Sequence, residues 1–194
     1  MRIENVKNSF VSRAENKLAG FCEFIHFDFR GKTVLDIGSS TGGFTEYALS
    51  RGAKKVIAVE KGTNQMKAPL RFDPRIELHE KTDIFDITVR DIETSDVILA
   101  DVSFISLTKV LTYAKINLAR FETDFLVMLK PQFEAREFEL NKGVVKNEKI
   151  RREIIKRFEG FLKKSGFLIL RKRDNELRGR NGNIERFYHL RIAK

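Results

Sequence analysis

The stretch that decides the fold is Val34-Leu35-Asp36-Ile37-Gly38-Ser39-Ser40-Thr41-Gly42-Gly43-Phe44. Its opening run is apolar apart from one carboxylate and predicts a buried strand that ends at Gly38. A helical pattern of apolar residues begins at Phe44 and continues through Tyr47 and Ala48. Strand, glycine-rich turn and helix form the first unit of a doubly wound α/β sheet, in which ligands bind at the carboxyl ends of the strands.

The spacing of the glycines indicates which ligand this turn would take. A dinucleotide-binding loop has its second glycine two positions after the first, where the backbone approaches a pyrophosphate. Here that position is Ser40, which argues against NAD and leaves room for a nucleoside without phosphates, such as S-adenosylmethionine. A tight strand–helix connection with no ligand is the alternative that the loop alone leaves open.

Two further predicted strands lead to carboxylates. The strand Lys55–Glu60 ends at Glu60, 22 residues after Gly38, close to where these folds place an acid that accepts hydrogen bonds from ribose hydroxyls. The strand Ile76–Glu80 precedes Asp83. That carboxylate is placed either to bond adenine or to cap the N-terminus of a helix.

The fourth and fifth predicted strands end in groups of opposite charge. Asp101 closes the strand that starts at Val97, and Lys130 follows the strand Asp124–Leu129. Carboxyl ends of central parallel strands are where α/β enzymes place their chemistry, and a cation closing a buried strand needs a partner. We therefore expect Asp101 and Lys130 to pair, either as catalytic groups or as a structural ion pair.

The first helix carries a basic residue in an ambiguous position. Apolar residues recur with helical spacing from Val11 to Ile25, and Lys17 lies at the border of that stripe. Position alone favours a solvated lysine, whose stem covers apolar surface, over one that points into a cleft. Cys22 lies near the apolar face of the helix and is predicted to belong to the core.

The last third of the chain completes the sheet. The count of strands predicts a seven-stranded, mostly parallel sheet whose last strand runs antiparallel, in a single domain over residues 11–194 after a polar arm at residues 1–10. Glu185 lies at the start of that last strand. The predicted elements of this third are an excursion over the site at 134–147, a basic amphipathic helix from Ile150, a strand at Phe167–Leu170, a turn-rich loop at Asn175–Asn183 and a final strand at Ile184–Ile192.

The charge balance points to a polyanionic partner. The 194 residues include 37 basic and 27 acidic side chains, a net charge of +10, which is large for a small domain. A soluble surface with excess lysine is the alternative, and the clustering of the charge favours nucleic acid. The clustered residues are Lys142, Lys146, Lys149, Arg151, Arg152, Lys163, Lys164, Arg171, Lys172, Arg173, Arg178 and Arg180.

Composition also argues against several other classes of protein. No segment approaches the roughly 20 apolar residues needed to cross a bilayer, and Met1–Glu4 does not resemble the start of a signal peptide. The single cysteine cannot form an internal disulfide, so we expect a cytoplasmic protein. The three histidines share no metal-ligand spacing, so we expect no metal site.

With these residues placed, the chain resembles the FtsJ-like RNA 2′-O-methyltransferases, and most closely the TlyA/hemolysin-A group that acts on ribosomal RNA. The resemblance covers nearly the whole chain, and its most specific segments begin at Asp101 and at Lys130. The matching segments are Val11-Ser12-Arg13 through Lys17-Leu18, Leu35 to Thr45, Asp101-Val102-Ser103-Phe104-Ile105-Ser106-Leu107, Lys130-Pro131-Gln132-Phe133-Glu134, Lys142-Gly143-Val144-Val145 and Gly182-Asn183-Ile184-Glu185.

The resemblance implies a Rossmann-like class I methyltransferase fold, S-adenosylmethionine as methyl donor and RNA as acceptor, with a cytidine ribose of ribosomal RNA as the expected target. It implies a catalytic tetrad that falls on Lys17, Asp101, Lys130 and Glu185. Lys130 is our candidate to accept the proton of the ribose hydroxyl or to orient it. The predicted cofactor-binding residues are Asp36, Gly38, Ser39, Ser40, Thr41, Gly42, Gly43, Phe44, Glu60, Asp83 and Asp101.

Two departures from the family pattern bear on these expectations. Where the family has glycines before its first lysine, this chain has Ala14-Glu15-Asn16, and only about ten residues precede the match where members carry an S4-type RNA-binding domain. Either RNA docking then falls to the basic last third, or this chain differs from the family in its substrate. Three rival hypotheses are a non-catalytic RNA-binding protein on the same scaffold, a membrane-active hemolysin and a small-molecule methyltransferase.

Overall fold

The computed structural model describes residues 13–179 and 181–194, with side chains from Glu15 onward. The predicted arm at residues 1–10 lies outside this range. The helices are α1 (Arg13–Ile25), α2 (Gly43–Ser50), α3 (Leu107–Asn117), α4 (Pro131–Glu134) and α5 (Glu148–Lys164). The strands are β1 (Thr33–Ile37), β2 (Lys55–Glu60), β3 (Ile76–Glu80), β4 (Val97–Ala100), β5 (Asp124–Leu129), β6 (Leu140–Asn141), β7 (Val144–Val145), β8 (Phe167–Asp174) and β9 (Arg186–Ile192).

Seven of the strands form one sheet in the order β3-β2-β1-β4-β5-β9-β8. The neighbours from β3 to β5 are all parallel, whereas β9 lies antiparallel between β5 and β8. The predicted α/β fold, with a mostly parallel sheet of seven strands and an antiparallel last strand, is confirmed. Strands β6 and β7 form a separate two-stranded hairpin within the predicted excursion.

Apolar side chains on both faces of the sheet explain why its central strands read as continuous apolar runs. Every residue of β1, β4 and β5 is buried, as expected for parallel strands covered on both faces. One face packs against α3 and α5, and the other packs against α1 and α2. Cys22 is 2% exposed and lies in the second of these clusters, so its predicted place in the core is confirmed.

The structure moves two predicted boundaries in the last third. The strand predicted at Phe167–Leu170 continues to Asp174, and the final strand begins at Arg186 rather than at Ile184. The continuation is a charged run on the edge strand β8, which pairs with β9 on one side only, and its side chains from Arg171 to Arg173 are exposed. Ending the predicted strand where the charged run begins therefore places its end too early.

This topology brings chain segments from distant parts of the sequence to one edge of the sheet. The carboxyl ends of the parallel strands lie along that edge. Because β9 runs the opposite way, its amino end lies there too. Asp101 directly follows β4, and Lys130 directly follows β5. Glu185 directly precedes β9, so all three residues lie at this edge.

Candidate active site

The glycine turn after β1 requires glycine at two positions. Gly38 has φ of +80° and Gly42 has φ of +94°, a region that other residues enter only with strain. A Cβ on Gly38 would also lie 3.1 Å from the backbone oxygen of Asp101. The turns after β1 and β4 therefore touch, and the absence of a side chain at Gly38 permits this close approach.

Asp36 lies beneath this turn and does not reach its surface. The residue is fully buried, and its Oδ2 accepts a hydrogen bond of 2.7 Å from Oγ1 of Thr45 in α2. Its Oδ1 has no partner among the described residues. Burial raises the pKa of Asp36 to about 7, which the hydrogen bond from Thr45 opposes. The carboxyl of Asp36 thus connects β1 to α2. Asp36 could affect a bound ligand only by changing the conformation of the turn.

Glu60 lies at the surface of the turn and fixes its backbone. Its Oε2 accepts a hydrogen bond of 2.9 Å from the amide of Ser40, and its Oε1 accepts one of 2.6 Å from the amide of Gly62. A carboxylate has about four acceptor positions, so each oxygen can still accept from a ligand hydroxyl. The buried Oγ of Ser39 has no partner among the described residues, so it offers a further polar group beside the turn.

Three other predicted cofactor residues have structural roles in this chain. Asp83 caps a short 3₁₀ helix through Phe85, and the ammonium of Lys61, 2.9 Å away, holds the pKa of Asp83 below its usual range. The helix cap is therefore the role observed for Asp83. The side chain of Phe44 is buried against Phe187 with ring centroids 5.9 Å apart, so the contact observed for this side chain is with the core. Gly42 is covered by the side chain of Leu70.

Lys17 forms a short ion pair with Glu185, 168 positions away in the chain. Nζ of Lys17 lies 2.5 Å from Oε2 of Glu185, and the two side chains are only 11% and 4% exposed. The interpretation of Lys17 as a solvated surface lysine is therefore wrong. Gly179 permits this arrangement, because a Cβ there would lie 2.7 Å from Oε1 of Glu185.

Lys130 and Asp101 form the second ion pair, as the ends of their strands predict. Nζ of Lys130 lies 2.6 Å from Oδ1 of Asp101, with side chains 12% and 17% exposed. The contact is electrostatic, since Oδ1 of Asp101 accepts no hydrogen bond from the described residues. Lys130 instead donates a hydrogen bond of 2.9 Å to Oγ of Ser103.

Strand register places the two ion pairs side by side. Leu129 of β5 lies opposite Arg186 of β9, so Lys130 and Glu185 occupy the next positions along the same pair of strands. Asp101 follows β4, which pairs with β5 on its other side. The structure thus brings all four predicted tetrad residues to one edge of the sheet, as two neutral pairs of low exposure.

Two residues without a predicted role shape the loops at this edge. Phe104 has φ of +64° and is 92% exposed, an uncommon state for a bulky residue. Its ring lies 5.3 Å from that of Phe133. Glu134 accepts hydrogen bonds from the amide of Leu107 at 2.5 Å and from Oγ of Ser106 at 2.7 Å. Both lie in segments quoted for the family resemblance, but nothing local in the sequence distinguishes their roles.

Glu134 joins the two loops that carry Asp101 and Lys130. It lies at the end of α4, four residues after Lys130, and it caps α3, which follows the Asp101 loop. Burial raises the pKa of Glu134, and hydrogen bonds from Ser106 and Leu107 oppose this. The side chain therefore holds the two loops in a fixed relation.

The basic residues of the last third divide into two groups. Arg151 is 6% exposed, lies 2.6 Å from Asp174 and donates to the carbonyl of Ile184, so the prediction that it holds RNA phosphates is wrong. Lys172 pairs with Glu159 at 2.8 Å. Arg152 and Arg173 pair with Glu148 and Glu176. Of the clustered lysines, those that are exposed and have no ion pair with a described residue are Lys142, Lys146, Lys149, Lys163 and Lys164; Arg180 lies outside the described part of the chain.

The hairpin of β6 and β7 is anchored beside Glu185. Asn183, only 5% exposed, accepts a hydrogen bond of 3.0 Å from the amide of Val145 and donates one of 3.2 Å to the carbonyl of Gly143. The hairpin tip consists of Lys142 and Gly143, both with positive φ. One exposed lysine is thereby held near the loop that carries Glu185.

Residues 13–179 and 181–194 contain neither a membrane span nor a metal-binding cluster. No helix there is long and apolar enough to span a membrane. No group of three or more His, Cys, Asp and Glu side chains in these residues is placed to hold a metal ion.

Comparison with known proteins points to the same family as the sequence motifs. The model of the FtsJ-like methyltransferase family matches residues 10–192. The chain is 37% identical over 191 residues to the 23S rRNA (cytidine-2′-O)-methyltransferase TlyA of Campylobacter jejuni, covering 97% of this chain and 74% of that protein. It is 36% identical to Hemolysin A of Brachyspira hyodysenteriae, covering 98% and 79%.

A solved structure gives the same result for the fold. The structure of a candidate hemolysin from Streptococcus thermophilus superposes with a TM-score of 0.92 at 30% identity, covering all of this chain and 70% of that one. The resemblance to the TlyA/hemolysin-A group is confirmed over nearly the whole chain. This chain belongs to the FtsJ-like methyltransferase family.

Proposed function

We propose that this protein transfers a methyl group from S-adenosylmethionine to a ribose 2′-hydroxyl of ribosomal RNA, with cytidine as the target nucleotide. The observation that carries the proposal is the pair of ion pairs, Lys17–Glu185 and Lys130–Asp101, at one edge of the sheet. A relative of high identity is named for this reaction, and this chain holds the four ionisable groups in the two arrangements just described.

The turn after β1 fits a nucleoside cofactor. Positive φ at Gly38 permits the close approach of the turns after β1 and β4, Ser39 has a hydroxyl without a partner among the described residues, and Glu60 retains acceptor capacity for ribose hydroxyls. When bound, S-adenosylmethionine supplies a methyl group on a positively charged sulfonium. The carboxylate of Asp101, which follows β4, offers a negative charge on that side of the site.

Lys130 is the group best placed to act on the ribose hydroxyl. Its ammonium is fixed by Asp101 and Ser103, so it can orient the hydroxyl oxygen along a single direction. Alignment of the reacting atoms supplies much of the rate of such a displacement. Lys17, held by Glu185 at the same edge of the sheet, offers a second ammonium to the ribose oxygen, whose proton passes to solvent as the new O–C bond forms.

Exposed groups around these ion pairs suit a single-stranded RNA. The ring of Phe104, with that of Phe133 beside it, gives a solvent-facing aromatic surface next to Asp101 and Lys130, and bases stack on such surfaces. The lysines of the hairpin and of the first turn of α5, Lys142 and Lys149, are free to bind phosphates. A small-molecule methyltransferase would need neither feature.

A non-catalytic RNA-binding protein and a hemolysin fit the site less well. A protein that only binds RNA gives no reason for two buried ion pairs beside a nucleoside-type turn. A hemolysin function follows only from the name of a relative, and no observation on the described residues favours it.

The experiment is methylation of purified ribosomal RNA with labelled S-adenosylmethionine, followed by digestion to nucleosides and mass spectrometry. We expect 2′-O-methylcytidine to appear with wild-type protein. The Lys130→Ala variant should lose at least about 100-fold in rate while its cofactor affinity by calorimetry stays within about twofold. A label found on a base, or near-normal turnover by Lys130→Ala, would overturn the proposal.

A further inference from the structure

A cavity of about 260 Å³ lies directly beside the Lys17–Glu185 ion pair and shares Lys17 with it. One wall comes from α1, where Lys17, Gly20 and Phe21 face it. The other wall comes from the end of β8 and the residues after it, Arg173 to Leu177. Since Lys17 contributes to both the cavity and the ion pair, a molecule in the cavity would touch the catalytic edge.

The lining of the cavity has an apolar floor and a polar rim. The rings of Phe21 and Phe187 form the floor, stacked with centroids 4.9 Å apart and both nearly fully buried. At the rim, the side chain of Leu177 is 49% exposed. The guanidinium of Arg173 lies 5.0 Å from the ring centroid of Phe24 and pairs with Glu176, which also lines the cavity with Asp174. The rim therefore carries charges of both signs.

This combination matches the chemistry of a nucleobase. A base has apolar faces that pack on aromatic and aliphatic side chains, and polar edges that form hydrogen bonds with amides such as those of Asn16 and Asn175 in the lining. A lipid would match the apolar floor but not the polar rim of this small cavity. The site described above already provides a separate aromatic surface, Phe104, on the side of Asp101 and Lys130.

We propose that this cavity holds the base of the nucleotide adjacent to the methylated ribose. The proposal rests on the proposed function, because it assumes that the ribose lies at the two ion pairs. It adds a second nucleotide to the recognised RNA and locates it on the α1 side of the site.

Gly20 provides a direct way to close the cavity. No described atom lies within 4 Å of a Cβ built at Gly20, so a larger side chain can enter the space without displacing its neighbours. Gly20→Phe should fill the cavity, whereas Gly20→Ala should leave it open and favour the helix. Gly160 in α5 has the same open surroundings, so Gly160→Phe is a matched control at another face of the molecule.

The test measures affinity for a single-stranded fragment of ribosomal RNA by fluorescence anisotropy. We expect Gly20→Phe to bind at least about tenfold more weakly than wild type, with Gly20→Ala and Gly160→Phe within about twofold. Leu177→Glu, at a half-exposed rim position, should weaken binding in the same direction if Gly20→Phe proves unstable. Equal affinities for Gly20→Phe and Gly20→Ala together with normal binding by Leu177→Glu would overturn the proposal.

A second readout separates this inference from the proposed function. Once the methylated ribose is mapped, the neighbouring nucleotide of the RNA can be made abasic. This RNA should be methylated by the wild type about as slowly as intact RNA is methylated by Gly20→Phe. Combining the abasic RNA with Gly20→Phe should slow methylation little further. Full additivity of the two changes would contradict a base in the cavity. RNA that binds normally but is never methylated would remove the proposed function and leave the affinity test of the cavity standing.

Discussion

Asp36 is the residue whose setting differs most from that of a free carboxyl. Burial raises its pKa to about 7 in the folded chain, against about 3.9 in an unfolded chain. Between about pH 4 and pH 7 the unfolded chain releases this proton while the folded chain retains it. Stability from this group is therefore present below about pH 4 and is lost as the pH rises towards 7, by up to a few kcal/mol.

This predicts a change in slope for Asp36→Asn. The free energy of unfolding of the wild type should fall from pH 5 to pH 8 more steeply than that of the variant, whose amide does not titrate. Urea unfolding at several pH values measures the free energy of unfolding of both proteins. The comparison uses the slope of this free energy with pH and not its absolute value, because the amide also alters the hydrogen bond with Thr45. Parallel curves would contradict the raised pKa.

Glu60 gives a second prediction at the scale of one residue. Its carboxylate fixes the amides of Ser40 and Gly62 and retains acceptor capacity. Glu60→Ala should therefore weaken S-adenosylmethionine binding at least about tenfold, because both the turn and a ribose contact are lost. Calorimetry measures this, with RNA affinity as the control that should not change; unchanged cofactor affinity would remove Glu60 from the cofactor site.

At the scale of elements, Glu134 controls how two loops meet. Glu134→Ala leaves the first amides of α3 and the hydroxyl of Ser106 without their acceptor, which we expect to cost about 1–2 kcal/mol of stability. The methylation rate should fall at least about tenfold, since Asp101 and Lys130 lose their fixed relation.

Glu134→Gln is the matched control for that prediction. Its amide oxygen can still accept from Leu107, and its amide nitrogen can donate to the hydroxyl of Ser106, so rate and stability should largely return. Single-turnover rates and thermal unfolding of the two variants decide the matter. A rate for Glu134→Ala equal to that of the wild type would show that the loops hold their places without it.

Elements also show where prediction from sequence succeeds and where it stops. Short apolar runs ending in charged residues identified β1, β4 and β5 and placed Asp101 and Lys130 together, because strand ends and sheet order follow from local pattern. The position of Lys17 on its helix could not reveal its partner, since Glu185 comes from the other end of the chain. The same limit applies to Phe44, whose neighbour Phe187 is equally remote.

At the scale of the whole molecule, the position of each lysine decides whether it can meet RNA at the site. Lys149 lies in the first turn of α5 and Lys163 in its last, about 21 Å apart for a rise of 1.5 Å per residue. The first turn adjoins the loop of Glu185, since Arg151 donates to the carbonyl of Ile184. Lys163 and Lys164 lie in the last turn, at the other end of the helix, although the sequence shows them as part of one basic cluster.

Two double variants of equal charge change test this arrangement. Lys142→Glu with Lys149→Glu should weaken RNA binding at least about tenfold and reduce its salt dependence, whereas Lys163→Glu with Lys164→Glu should have little effect. Affinities measured at three salt concentrations give both quantities. Equal losses in the two double variants would show that only total charge matters.

Lys17, Asp101, Lys130 and Glu185 are proposed to act together on one ribose hydroxyl. Single-turnover methylation of ribosomal RNA by the four alanine variants, at saturating cofactor and RNA, tests this most directly. We predict that each variant loses at least about 100-fold in rate, and that Lys17→Ala with Glu185→Ala together lose little more than either alone. A rate within about twofold of wild type for Lys17→Ala or Glu185→Ala would contradict it.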